Sequence, residues 1–340
     1  MFILNCESRP RIAVTIGDPA GIGPEVVLCA LKNPEIYEKL VPIVIGSLDL
    51  LTRCISDVGI SDIRLTPIAG PENAVGLPGT IEIIDVPVPG VIDVIPGKVQ
   101  TIGGAAADAY IRKACELAMD HKVDAISTAP ISKESLRAAG IPEIGHTELL
   151  AKYMNSPDPL TLFITENMRI FFLSRHFSLK DAIDYITEER LLTFMRRVDA
   201  VMKDFGFVKP HIAVAALNPH AGDGGQFGDE EVTIISPAIS TARSEGIDMI
   251  GPIGADSVFN QALEGKFDCV ISLYHDQGHI AAKTRDFFRT VTATLGLPTL
   301  RTSVDHGTGF DIAWSGKASS ISMEAAILAA VDLLKLVKCP

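Results

Sequence analysis

The stretch "RIAVTIGDPAGIGPEVVLCALKN" (residues 11–33) decides the fold. Its opening run, "RIAVTIG", is apolar enough for a buried strand, and "GPEVVLCALKN" follows as a helix with Pro24 near its first turn, where the missing N–H costs nothing. The loop between them, "GDPAGIGPE" (17–25), carries Gly17, Gly21 and Gly23. Glycines there let a backbone approach a ligand closely at a helix N-terminus; they serve equally well in a tight structural turn. The loop is neither G-x-G-x-x-G nor a Walker A loop, since no Gly-Lys-Ser/Thr follows. Strand, loop and helix in this order are the first step of an α/β fold.

The rhythm continues outward. "VPIVIG" is a second strand and "SLDLLTRCISDVG" a second helix. In "AAADAYIRKACELAMD" the apolar positions 107, 111, 114 and 118 fall on one helical stripe. "VDAISTAP" is a strand ending in a loop. The middle changes character: "LTLFI" and "IFFLS" flank "TENMR" as an antiparallel hairpin. Ser178 and Asp181 are placed as a capping box, and 187–205 is helical. "HIAVAAL" is a strand, and "DEEVTIISPAISTARSEG" a helix split by Pro237. "FDCVISLYH" reads as a strand delivering His275 to its C-terminal end, and "SMEAAILAAVDLLKLV" as an apolar helix that covers a sheet face. The pattern predicts two α/β/α domains with a cleft between them: residues 1–140 plus 295–340, with the glycine loop and C-terminal helix, and residues 141–294.

Composition narrows the function. A net charge of -12 over 340 residues argues against a nucleic-acid or anionic-membrane surface, so any anionic ligand must be met by a few well-placed cations. The six cysteines form no C-x-x-C pair, which suits reduced thiols better than structural zinc or a disulfide scaffold. "MFILNCESRP" turns polar too soon for a signal peptide, and no uncharged apolar run reaches the roughly 18 residues of a membrane span. A cytoplasmic enzyme is the expectation.

Five polar clusters stand out: "GHTE" (145–148), "SRHF" (174–177), "LNPHAGDGGQFGDEE" (217–231), "YHDQGH" (274–279) and "RTSVDHGTGFD" (301–311). They hold six of the eight histidines, where ligands of open α/β sheets bind. His176, His220 and His275 each end an apparent strand; three imidazoles suit zinc and leave other divalent ions open. "HDQGH" is one letter from the zinc-protease signature, so a zinc hydrolase using His275 and His279 is an alternative. Against it, Gly278 inside that turn costs roughly 1 kcal/mol, and aspartate is one methylene short of glutamate's reach. Lys283 and Arg301 are candidates for gripping phosphate or carboxylate, whereas Arg285 and Arg289 read as solvent-facing. A non-catalytic phosphate-ligand binding protein is a third possibility.

Taken together, "IAVTIGDPAGIGPE", "GHTELLA", "LNPHAGDGGQFGDEE", "LYHDQGHIAAK" and "LRTSVDHGTGFDIAWSGKA" resemble the PdxA family, the 4-hydroxythreonine-4-phosphate dehydrogenases, over nearly the whole chain. "YHDQGH" and "FDIAWSGKA" are most similar to the branch acting on D-threonate and D-erythronate 4-phosphates. The resemblance implies an isocitrate/isopropylmalate dehydrogenase-like fold and a homodimer with its active site at the interface. It implies NAD-dependent (NADP possible), divalent-metal-dependent oxidation and decarboxylation of a 4-phosphorylated 3-hydroxy acid, with zinc, magnesium, manganese or cobalt as the ion. By the same resemblance His176, His220 and His275 are the metal ligands, one of them supplied by the partner chain. His146, Thr147, Lys283 and Arg301 bind substrate, and Asp256 matches an acidic contact. Thr292 stands where the family commonly has asparagine. Lys283 and Asp256 are the candidates for the proton acceptor. The cofactor pyrophosphate is expected near Gly17, Gly21 and Gly23, or near Asp305 and Gly307.

Overall fold

The computed structural model describes residues 9–336. The chain divides into two compact units, one running to Pro159 and resuming over Val291–Lys335, the other Leu160–Thr290.

The first unit holds strands β1 (Arg11–Thr15), β2 (Val41–Gly46), β3 (Arg64–Pro67), β4 (Thr80–Asp85) and β5 (Ala125–Thr128). It also holds helices α1 (Gly23–Ala30), α2 (Pro34–Lys39), α3 (Leu48–Val58), α4 (Thr101–Met119), α5 (Lys133–Ala138) and α6 (His146–Tyr153). The second unit holds β6 (Leu160–Thr165), β7 (Met168–Phe172), β8 (Ile212–Ala215), β9 (Met249–Ile253) and β10 (Cys269–Ser272), with α7 (Leu179–Tyr185), α8 (Glu188–Asp204), α9 (Ser236–Ser244), α10 (Ala255–Leu263) and α11 (His275–Arg285). The chain then adds β11 (Val291–Leu295), β12 (Leu300–Val304) and α12 (Ile321–Leu334) to the first unit.

In the first unit the strands run β3-β4-β2-β1-β5-β12-β11, all parallel except β11 against β12. Strand β2 is buried throughout and β1 in all but its first residue, as parallel strands covered on both faces must be. The expected stripe on α4 is the buried one: Ala107, Ile111, Ala114 and Cys115 with Ala118 face inward. Helix α3 starts on Ser47, whose hydroxyl accepts the Leu50 N–H, and stops at Gly59 in the left-handed region. Met323, Ala326, Ile327, Ala330 and Leu334 of α12 are buried, as a helix covering a sheet requires.

In the second unit the order is β6-β7-β10-β8-β9, parallel except for the β6–β7 hairpin that the sequence predicts. Ser178 caps α7 by accepting the Asp181 N–H and donating to its carboxylate.

Three expectations need correction. Helix α6 and strand β11 belong to the first unit, so His146, Thr147 and Thr292 do too. Tyr153 donates to Asp108 on α4 (2.5 Å), and β11 pairs with β12. The 229–246 helix is in two parts as expected, but the change comes just ahead of Pro237: a π turn over Glu231–Ile235 runs directly into α9, with Pro237 in its first turn. Strand β10 ends at Ser272, and His275 opens α11, so "HDQGH" is helical. Gly278 is there because a Cβ would lie 2.6 Å from the Phe172 ring; the propensity cost is offset by close helix–strand packing.

Candidate active site

In the second unit the candidate residues converge on α11. His275, His279 and Lys283 are spaced i, i+4, i+8 and share one helix face. Gln277 fixes the start of that helix: its Oε1 accepts the Leu273 N–H (2.8 Å) and its Nε2 donates to the Ala216 carbonyl (2.7 Å). His275 bonds through Nδ1 to the Asp276 carboxylate (2.6 Å), which leaves Nε2 as the ring's outward donor atom. The ring of His176, in the loop after β7, lies 6.3 Å from that of His275, centroid to centroid. Ser174 anchors this loop by donating to the Leu273 carbonyl (2.9 Å).

His279 stacks on His275 at 3.6 Å with planes 15° apart, fenced by Phe163 and Phe172. Burial, then the neighbouring His275 and Lys283, push its pKa down to about 4. Rings stacked this way keep their in-plane lone pairs in nearly parallel planes, which do not meet at one ion. The two histidines thus share a helix face without the convergent grip that a zinc hydrolase needs.

His220 sits in an unusual turn. Five consecutive residues, His220 to Gly224, have φ between 44° and 76°. Such a left-handed turn is costly for residues with a Cβ and is found where a site over-determines it. Glu231 ties down its base: one carboxylate oxygen accepts the N–H groups of Leu217 (2.8 Å) and Asn218 (2.7 Å). Among the described residues of one chain, no group of three His, Cys, Asp or Glu is arranged to hold a metal. The Asp276 carboxylate on Nδ1 of His275 is the usual kind of support of a ligating histidine. Asp256 is exposed in the first turn of α10, on a cavity of about 480 Å³ shared with Phe259, Ile280 and Thr284. Lys283 Nζ lies 5.5 Å from the centre of the Phe287 ring.

In the first unit, His146 and Thr147 open α6, whose N-cap is Gly145 with no side chain to occupy the free N–H groups. The His146 Nε2 is buried and makes no hydrogen bond among the described residues. Burial first, then Arg301, hold its pKa well below the usual histidine range. Arg301 is itself buried, bonded to the Thr128 and Thr294 hydroxyls, and burial pushes its pKa down to about 9. Thr292 lies two residues before Thr294 on β11, opposite Ser303.

The glycine loop is not open. A Cβ on Gly17 would meet the Pro130 carbonyl at 2.1 Å, on Gly21 the Thr308 carbonyl at 2.7 Å, and on Gly23 the Ile16 carbonyl at 2.1 Å. All three are buried, so these glycines serve the fold's own packing. Of the three, Gly21 packs against the second candidate loop. Ile22 N–H donates to the Thr308 carbonyl (2.8 Å), Trp314 Nε1 to Pro19 (3.2 Å), and Ala318 N–H to Glu25 (3.2 Å). This staples 305–318 in place while Gly307 stays exposed, with nothing within 4 Å of where its Cβ would be.

The family model for "Pyridoxal phosphate biosynthetic protein PdxA" matches residues 38–330. The chain belongs to the PdxA family. Relatives from Symbiobacterium thermophilum and Halalkalibacterium halodurans, both named "Putative D-threonate 4-phosphate dehydrogenase", are 51% identical over 321 and 319 residues. These alignments cover 94% of this chain and 96% and 95% of theirs. The crystal structure of 4-hydroxythreonine-4-phosphate dehydrogenase from Klebsiella pneumoniae is 41% identical, with a TM-score of 0.88 over 95% of this chain and 99% of that one. Against this PdxA background, the sequence reading missed Thr128, Thr294 and Ser303 around Arg301, and Asp276 and Gln277 on α11. The signal was present for the first set: polar residues alternate at 292 and 294 and at 301 and 303, and so share a sheet face.

Proposed function

We propose that this PdxA-family protein oxidises a 4-phosphorylated 3-hydroxy acid with NAD and a divalent ion, and that decarboxylation follows. D-threonate 4-phosphate is the favoured substrate, given the names of the relatives that match at 51%. The single observation that carries the reading is Arg301. Among the described residues no carboxylate pairs with this buried guanidinium, which leaves a ligand to supply its counter-charge. His146, Thr147 and the free N–H groups at the start of α6 would complete that anion site. Thr292 would offer the substrate one hydroxyl.

His176 and His275 would hold the ion from one chain, with Asp276 orienting His275, and His220 would come from a partner copy. Support for a homodimer is the apolar surface of the second unit, where Phe177, Leu179, Ile280 and Phe287 are more than half exposed. Bound together, the ion and NAD would supply Lewis acidity and a hydride acceptor. Lys283, on the same helix face as His275, would take the hydroxyl proton, with Asp256 as the second candidate. Asp305 and Gly307 would receive the cofactor on the stapled loop.

The test is absorbance at the NADH band with D-threonate, D-erythronate and 4-hydroxythreonine 4-phosphates, with and without chelator. Chelator-sensitive NADH formation with one of them is expected. No signal with any, at any divalent ion, would remove the dehydrogenase reading.

A further inference from the structure

Arg301 is only 4% exposed, yet its recorded hydrogen bonds all go to hydroxyls. Nε and Nη2 donate to Thr128 Oγ1 (3.0 and 2.7 Å), and Nη1 donates to Thr294 Oγ1 (3.2 Å). Among the described residues no carboxylate forms an ion pair with it. A buried arginine is ordinarily met by the two oxygens of a carboxylate. Here one neutral oxygen stands in front of Nε and Nη2, where that fork would be.

The direction of every proton follows. Thr128 Oγ1 receives two bonds from Arg301, so it must give its own proton away; Ser303 Oγ accepts it (3.1 Å). Ser303 then donates to the Thr128 carbonyl (3.1 Å). The chain closes on the residue where it began and fixes the Thr128 oxygen as an acceptor. Strand register builds this. Thr128 on β5 is paired with Ser303 on β12, and Thr294 on β11 with Arg301, so the four side chains share one face. The same unit places the partnerless His146 Nε2 within electrostatic reach of the guanidinium.

We infer that Thr128 is a positioning residue for anion recognition: its hydroxyl aims the Arg301 guanidinium without cancelling its charge, so that the anionic group of the substrate becomes the counter-ion. This rests on the reading of Arg301 as a substrate-binding residue. An aspartate at 128 would aim the guanidinium and quench it. A valine would do neither. A serine would do what threonine does.

The probe is inorganic phosphate, titrated calorimetrically and by thermal shift into the full chain as wild type, Thr128→Ser, Thr128→Val and Thr128→Asp. Thr128→Ser should bind as the wild type does. Thr128→Val should bind about ten- to a hundredfold more weakly, the loss expected when bonds to a charged group are removed. Thr128→Asp should lose phosphate binding while the ligand-free protein melts higher, because the buried charge is now paired; a purely structural role would not separate the two readouts. In turnover, KM should rise more than kcat falls. Wild-type affinity in Thr128→Asp would overturn the inference, and should Thr128→Val not fold, the serine and aspartate variants decide it. Absence of phosphate binding by the wild type would overturn the anion site beneath it, and the inference with it. Absence of NADH formation with phosphate binding intact would count against the dehydrogenase reading alone and leave the assignment of Thr128 standing.

Discussion

Replacing Ala221 by glycine should stabilise the protein and weaken its hold on a divalent ion at the same time. Ala221 has φ 55° and ψ 41°, in the middle of the left-handed turn that begins at His220. A residue with a Cβ pays roughly 1–2 kcal/mol to stay there. Glycine removes that strain but loses roughly 0.5–1 kcal/mol through its greater freedom in the unfolded chain. The net gain is therefore about 0–1.5 kcal/mol, or an increase of at most roughly 2 °C in the melting temperature of the metal-free protein. The cost appears at His220, which loses a stiff neighbour. Its imidazole is then less well held, and divalent-ion affinity should fall several-fold. Scanning calorimetry on metal-free protein and an ion titration on the same sample read both effects. A melting temperature that falls, or an affinity that rises with it, would show that the turn is not strained at Ala221 and does not serve His220.

Asp276→Asn should lower divalent-ion affinity about ten- to a hundredfold, the usual effect of removing the carboxylate behind a ligating histidine. His279→Ala, which removes only a stacked ring, should largely spare it; the reverse ranking in a competition titration would revive the zinc-hydrolase reading. Stability should also depend on pH through His146. Burial and Arg301 keep its folded-state pKa below the unfolded value of 6.5, so the unfolded chain takes up the proton first. This contribution is complete above pH 6.5 and is lost as pH falls through the folded pKa. His146→Asn should flatten that part of a denaturation-midpoint series between pH 7.5 and 5, and an unchanged slope would show that His146 is not held neutral.

The elements were legible where one local rule dominates. The buried runs of β1 and β2, the stripe on α4 and the cap at Ser178 need nothing beyond their own neighbourhoods. What sequence alone could not supply depends on partners far along the chain. Helix α6 joins the first unit through Tyr153 and Asp108, and "HDQGH" is helical because Gly278 lets α11 lie against Phe172, a residue more than 100 positions earlier. The glycines at 17, 21 and 23 answer to packing that no local pattern shows, since a Cβ on each would fall on the carbonyls of 130, 308 and 16. The alternation at 292/294 and 301/303 marks a polar sheet face, but it is the register of β5, β12 and β11 that brings the Thr128 and Thr294 hydroxyls to Arg301.

If Arg301 takes the anion as proposed, that last set would also let an acidic protein favour an anionic substrate. With a net charge of -12, the long-range field opposes approach, but at physiological ionic strength it is screened beyond about 8 Å. A guanidinium on the surface would be screened equally and would attract little. Arg301 is buried, so its interaction with an anion is strengthened by a lower dielectric, and it is held by neutral oxygens that leave the charge intact. In the proposed role of Arg301, recognition would move from the surface field, where this chain is at a disadvantage, to one interior cation whose partner arrives with the ligand.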